Sequence, residues 1–171
     1  MDSDFILINR MRRGDEKALD YFVRKYYEDM LRYCIYHSFC MEDAKDLTQE
    51  VFLRFFSTFP NYRHKGKVKN YLYTIARNLC INHYKKNENF AGNMPEADAT
   101  APFLDDFTTD VEMRICLDRL PKELREVIIL YYYQGMKQSE IADILGIGIP
   151  LVKYRLRKAK EQMKSMINPE E

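Results

Sequence analysis

Asp43, Asp46 and Glu50 stand at i, i+3 and i+7, so on a helix they line one face with Gln49 beside them. Converging carboxylates can hold Mg²⁺ for phosphoryl chemistry, which makes a metal-dependent nuclease the enzyme reading to weigh. Magnesium sites, however, usually gather ligands from different elements, and no His or Lys base accompanies these three. A basic protein partner suits the face better. The same carboxylates repel DNA, which keeps the face free for that partner.

A second group lies in residues 61–86, where Arg63, Lys65, Lys67, Lys69, Arg77, Lys85 and Lys86 stand without a single acid. Tyr62, Tyr71, Tyr73, His83 and Tyr84 are interleaved with them. Basic groups follow the backbone of a single strand while aromatic faces stack on unpaired bases, so the mixture suits melted DNA or RNA better than intact duplex. Some of the rings serve packing instead, since Tyr71 and Leu72 fall on an apolar stripe with Ile75.

The third group is a basic helix near the C-terminus. Lys153, Arg155, Arg157, Lys158, Lys160 and Lys164 face a single acid, Glu161. It follows Ser139-Glu140-Ile141-Ala142-Asp143-Ile144-Leu145-Gly146-Ile147, which reads as a short helix, a glycine turn and an apolar turn residue. This is the spacing of a helix-turn-helix, with small Ala142 allowing a close helix crossing and Gly146 relieving the turn. A DNA major groove admits such a helix against its phosphates.

The elements that must position these groups are helical. Apolar residues recur at helical spacing in Leu19, Phe22, Val23, Tyr26 and Met30, then Ala44, Leu47, Val51 and Phe55, then Val68, Tyr71, Leu72, Ile75 and Leu79. Gly14-Asp15 opens the first of these helices and Met41-Glu42-Asp43 the second; Pro60 stops the second before a polar loop, 61–66. A shorter helix, Phe5 to Arg13, precedes them. In the C-terminal block, helices are expected over Met113–Leu120 and Leu124–Tyr133, with Pro121 as an N1-type start, and Gly135 ends the second. Val152, Leu156, Ala159 and Met163 mark one face of the last helix. Apart from Pro60 the first 94 residues hold no proline, which disfavours a β-sandwich or barrel and leaves long stretches for helices.

The net charge of +1 hides a pattern. Residues 1–86 carry sixteen bases against eleven acids and residues 113–171 eleven against eight, while residues 87–112 carry seven acids and no base. Two basic modules flank an acidic spacer that holds Gly92, Pro95 and Pro102 and shows no sustained period. The expected architecture is therefore all-α: a domain at 1–87, a flexible acidic linker at 88–112 and a helix-turn-helix domain at 113–168. No apolar run approaches the roughly 20 residues of a membrane span, and Met1-Asp2-Ser3-Asp4 lacks the basic start of a signal peptide, so a cytoplasmic protein without membrane insertion is expected. Cys34, Cys40, Cys80 and Cys116 form no CxxC pair and have no His at zinc spacing, so reduced, mostly buried thiols and no metal or other cofactor are expected.

Residues 43–54, Asp43-Ala44-Lys45-Asp46-Leu47-Thr48-Gln49-Glu50-Val51-Phe52-Leu53-Arg54, resemble the core-binding segment of bacterial RNA polymerase sigma factors. Tyr71-Leu72-Tyr73-Thr74-Ile75-Ala76-Arg77-Asn78 resembles their promoter-melting helix, with Tyr71 where Trp is usual. Leu120-Pro121, Arg125-Glu126-Val127 and Val152-Lys153-Tyr154-Arg155-Leu156 resemble their fourth conserved region. Motifs in this order in so short a chain are similar to the extracytoplasmic-function group of the sigma-70 class, which keeps only the second and fourth regions. The sequence departs from the pattern at Asn82 (commonly Asp), Lys137 (usually a capping Ser or Thr), Pro150-Leu151 (in place of Gly-Thr) and Tyr154 (often Ser), departures that bear on which promoter is read.

The resemblance implies a transcription initiation factor that makes and breaks no bond itself. Asp43, Asp46, Gln49 and Glu50 would dock on a basic coiled coil of core polymerase. The melted non-template strand of the minus-ten element would be held by Tyr62, Arg63, Lys67, Tyr71, Arg77 and Asn78, with Tyr62, Arg63 and Asn78 around a base turned out of the stack. In the minus-thirty-five duplex, Lys153, Tyr154 and Arg157 would meet base edges and Arg155 and Lys158 phosphates. Family members are often held by an anti-sigma factor, which is a further expected partner. The rival from another class is a stand-alone helix-turn-helix repressor, which leaves the acidic helix and the Tyr/Lys-rich segment without work.

Overall fold

The computed structural model describes residues 3–38, 40–90 and 111–170. All regular elements among them are helical. The chain separates into two compact units, Met1–Ala99 and Thr100–Glu171.

The first unit begins with α1 (Ser3–Arg12), which ends at Gly14, whose φ of 79° lies in the left-handed region that glycine enters without steric cost. Asp15 then caps α2 (Glu16–Tyr36) by accepting from the backbone N–H groups of Lys17 and Ala18. Arg10 reaches back from α1 to the same carboxylate at 2.8 Å. That hydrogen bond, helped by the one from Ala18, holds the Asp15 carboxyl below its ordinary range. The cap is present above the unfolded carboxyl pKa and is lost as pH falls through the lowered folded one.

Helix α3 (Met41–Thr58) runs into a 3₁₀ turn at Phe59–Asn61 that contains Pro60, and α4 (Val68–Phe90) follows the loop. The core between α2, α3 and α4 is aromatic: Phe22 stacks on Phe55 at 4.8 Å and 18° and meets Tyr26 edge-on at 5.2 Å. Tyr73 is fully buried against Tyr33 at 5.6 Å. It is therefore a core residue rather than a stacking surface, which corrects its grouping with the nucleic-acid candidates. Burial, with the Asp29 carboxylate adding to it, pushes its phenol far above the ordinary range.

In the second unit α5 (Val111–Arg119) leads to α6 (Lys122–Ile128), and Pro121 is the N-cap of α6 rather than its first residue. The helix expected to continue to Tyr133 instead passes into a π-helical turn, Ile129–Tyr133, closed by Gln134 N–H to the Ile129 carbonyl at 3.0 Å. The wider turn keeps Ile129 and Leu130 in the core and carries Tyr132 outward. Helices α7 (Gln138–Leu145) and α8 (Ile149–Ile167) form the helix-turn-helix and pack through Ile141, Val152, Leu156 and Ala159. Lys137 caps α7 with its backbone only: its N–H donates to the Glu140 carboxylate at 2.9 Å, one half of a capping box.

Gly146 ends α7 at φ 65°, and the Ile147 N–H closes on the Ala142 carbonyl at 3.1 Å. Space is open around a Cβ at Gly146, so the strain of an L side chain there is purely conformational. Gly146→Ala is expected to cost about 1 kcal/mol or somewhat more, read as a lower thermal midpoint of the second unit with unchanged helix content. An unaltered midpoint would mean that the turn relaxes out of the left-handed region.

Within the range read as linker, α4 continues to Phe90 and α5 starts at Val111; the rest of that expectation, 91–110, lies outside the described residues. Cys34, Cys80 and Cys116 are buried and Cys40 half-buried, all as free thiols. No described helix is long and apolar enough to cross a membrane.

Candidate functional site

Helix α3 turns Ala44, Leu47, Thr48, Val51, Phe52 and Phe55 inward, which leaves its opposite side facing out. Asp46 and Gln49 are exposed there with Leu53 beside them, and Glu50 holds Arg54 one turn later at 3.2 Å. Asp43 sits at the edge of the face, where its carboxylate meets His83 Nε2 of α4 at 3.5 Å. His83 also contacts the Asn87 side chain at 3.2 Å, so it is engaged within the unit. Among the described residues no three His, Cys, Asp or Glu side chains converge as a metal site.

The inward side of the same helix backs an aromatic shelf. Tyr62, in the loop after the 3₁₀ turn, lies 5.1 Å from the Tyr71 ring, 5.6 Å from Phe55 and 6.5 Å from Phe59, the last nearly parallel. The Tyr71 hydroxyl and Thr58 Oγ1 are 3.1 Å apart, tying α4 to the end of α3. Tyr62 and Tyr71 are only half-buried, so the shelf keeps an open side. Arg63, Lys65 and Lys67 are exposed in the same loop as Tyr62, which turns at Gly66 with φ 102°. Asn78 is exposed on the flank of α4 that carries Tyr71, seven residues and roughly 10 Å further along. Arg77 is half-buried on the neighbouring flank, while Lys69 is held by Asp29 of α2 at 3.2 Å.

Three neighbours of the shelf were not among the sequence candidates. Phe59 forms one wall, the His64 ring meets the Tyr62 hydroxyl at 3.2 Å through Nδ1, and the Arg12 guanidinium of α1 donates to the Tyr62 carbonyl. Phe59 could have been found as an aromatic beside Pro60. Nothing in the sequence signals a contact between residues 50 apart.

On α8, Tyr154 and Lys158 face outward, with the Arg157 guanidinium 5.6 Å from the Tyr154 ring. Lys153 and Arg157 share a flank with Lys160 and Lys164, and these four line a cavity of about 320 Å³ with Tyr131 and Gln138. Lys160 lies 5.3 Å from the Tyr132 ring, and hydrogen bonding to that phenol raises its ammonium above the ordinary range. Arg155 is turned the other way, its side chain largely covered and 3.8 Å from Glu123 of α6. Four of the five α8 candidates are thus presented to solvent, while Arg155 braces the helix on α6.

Residues 22–90 match the family described as Sigma-70 region 2 and residues 111–163 the one described as Sigma-70, region 4. The chain is similar to the RNA polymerase sigma-H factor of Pseudomonas aeruginosa, 24% identical over 98% of this chain and 95% of the relative. It is 25% identical to the ECF RNA polymerase sigma factor SigW of Bacillus subtilis over 94% of each chain. In fold it is similar to CnrH solved with the cytosolic domain of CnrY (TM-score 0.77, 19% identity, 99% of this chain and 100% of that one). It is also similar to the sigma factor RpoE solved with the anti-sigma factor NepR, from Bartonella quintana (TM-score 0.75, 21% identity, 91% and 99%).

Proposed function

The chain belongs to the sigma-70 class of RNA polymerase sigma factors, in its extracytoplasmic-function group, and from that premise we propose how its surfaces divide the work of initiation. It is an alternative sigma factor that directs RNA polymerase to promoters. Core polymerase docks on the outward face of α3 through Asp43, Asp46, Gln49 and Glu50. Tyr62, Arg63, Lys67, Tyr71, Arg77 and Asn78 hold the melted minus-ten strand, and α8 meets the minus-thirty-five duplex. The observation that carries this reading is the division of α3: carboxylates outward, and Phe55 inward behind a half-open aromatic shelf whose loop exposes Arg63, Lys65 and Lys67. Polyanion and basic protein are thereby given opposite sides of one helix. A repressor would use only the second unit.

Run-off transcription with core enzyme on genomic promoter fragments tests the whole. Specific transcripts that depend on this chain are expected; DNA binding without any stimulation of core enzyme would return the repressor reading.

On α8 the proposal separates readers from anchors. Lys153, Tyr154 and Arg157, near the N-terminal part of the helix, meet base edges, and Lys158 meets a phosphate. Arg155 contacts a phosphate only at the expense of its ion pair with Glu123. Lys153→Ala and Arg157→Ala are each expected to cost roughly 1 to 3 kcal/mol at one promoter position and relax the preference there. Lys158→Ala weakens all sequences alike and lowers the salt slope by about one phosphate contact. A promoter library transcribed with each variant decides: an unchanged upstream preference in both reader variants places the reading face on the wrong side of the helix.

An anti-sigma partner is part of the same proposal. Its support is the fold shared with CnrH and RpoE, each solved bound to another protein.

A further inference from the structure

We infer that Arg12 of α1 is a positioning residue for the loop that presents Tyr62, an inference that rests on the reading of Tyr62 as part of the minus-ten pocket. Helix α1 lies outside the residues that match region 2, which begin at 22, yet it meets the loop at several points. The Arg12 guanidinium donates to the Tyr62 carbonyl and lies 5.9 Å from the centre of the Phe59 ring, so one planar cation ties the backbone of one pocket residue to the side chain of its wall. Phe5, two turns earlier on the same face of α1, lies 6.3 Å from His64, which in turn meets the Tyr62 hydroxyl. The loop needs such ties. Between the Tyr62 N–H bond to the Phe59 carbonyl at 3.0 Å and the start of α4 at Val68 it has no regular structure, and Gly66 adds freedom to it. A backbone carbonyl is a fitting point to hold, because it sets the aim of the Tyr62 ring while leaving the ring free for a base. α1 is itself secured on α2: Asp4 accepts from Lys25 at 2.7 Å and from the Tyr26 hydroxyl at 2.8 Å, and Leu7, Ile8 and Met11 are buried. The strut from α2 through α1 to the loop is thus continuous.

The test uses the full-length chain with core polymerase and compares Arg12→Ala, Arg13→Ala, Tyr62→Ala and the double variant Arg12→Ala/Tyr62→Ala. Arg13 is exposed on the neighbouring position and controls for loss of one positive charge. Arg12→Ala is expected to slow open-complex formation on duplex promoter about tenfold, the loss of one charge-assisted hydrogen bond, with core binding unchanged. Arg13→Ala should leave the rate near that of the parent, and Arg12→Lys should recover part of it. The double variant should be no slower than Tyr62→Ala alone, since an anchor acts only through what it anchors. Additive losses, or equal losses in Arg12→Ala and Arg13→Ala, would overturn the inference in favour of a direct phosphate contact. A normal rate in Arg12→Ala beside a slow Tyr62→Ala would overturn the anchor and leave the pocket standing. A normal rate in Tyr62→Ala itself would remove the pocket reading on which it rests.

Discussion

Asp46→Lys/Glu50→Lys is expected to lose stable binding to core polymerase at moderate salt while its two units fold as before. Each reversal removes an attraction to a basic partner and adds a repulsion, and close charge pairs at protein interfaces couple by roughly 1.5 to 7 kcal/mol. Even at the low end, two sites together cost on the order of 3 kcal/mol, more than a hundredfold in affinity. The folded chain has little at stake. Asp46 is exposed and Glu50 is partly so, and the Glu50–Arg54 pair is an i, i+4 contact at the surface, worth about 0.5 kcal/mol or less. Lysine has much the same helix propensity as glutamate. A titration of labelled sigma factor with core enzyme, alongside a circular dichroism melt, separates the two effects. Retained affinity with an intact melt would show that core polymerase docks elsewhere. Raising the salt should weaken the parent toward the variant, because exposed pairs are screened over about 10 Å at 0.1 M.

The acidic face was legible because it is local. Its residues lie within two turns of one helix, and the apolar positions between them fix which way they point. The helix-turn-helix was legible for the same reason, from Ala142, Gly146 and the stripe Val152, Leu156, Ala159 and Met163, all of which the structure places at the crossing, the turn or the core. The pocket was legible only in part. The expected stripe on α4 was Val68, Tyr71, Leu72, Ile75 and Leu79; Val68 and Leu72 are indeed fully packed, but the packed line continues through Ala76 and Cys80 with Tyr73 beside it, while Tyr71, Ile75 and Leu79 are half-buried. Ala76 and Cys80 are small, so they carry little weight in an apolar period, yet small residues are what let α4 approach its neighbours. The packed face is centred on the Leu72 edge of the expected stripe rather than on its Tyr71 edge, which sends Tyr73 into the core and leaves Tyr71 half-open on the shelf. Which of two tyrosines two residues apart is buried depends on Tyr33 of α2, a partner 40 residues away. The π-helical turn was equally hidden: Ile129 to Tyr133 reads as continuous helix, and only packing of Ile129 and Leu130 in the second unit accommodates the wider turn.

Tyr62→Ala and Asn78→Ala should damage open-complex formation far more than initial promoter binding. Stacking of an unpaired base on an aromatic ring is worth roughly 1 to 3 kcal/mol and acts only after the strands part. The half-buried Tyr62 ring packs against Phe55, Phe59 and Tyr71, which under the proposed reading would steady it for this stacking. Asn78 would contribute an amide edge from its exposed position on α4, where alanine removes both of its polar groups without opening a cavity. Truncating half-buried Tyr62 also takes packing from Phe55 and Tyr71, so Tyr62→Phe supplies the control: it keeps the ring, gives up the hydroxyl with its contact to His64, and should retain most of the melting activity. On the proposed division of work, closed complexes depend on α8 and the minus-thirty-five duplex and should persist in every variant. The decisive comparison is a heteroduplex template already melted across the minus-ten region. There the cost of strand separation is gone but the base still needs its pocket, so the alanine variants should remain weaker in retaining the strand while initial recruitment is normal. If both instead lose closed-complex binding to the same extent on duplex and heteroduplex, the shelf serves the stability of the unit and the flipped base is held elsewhere.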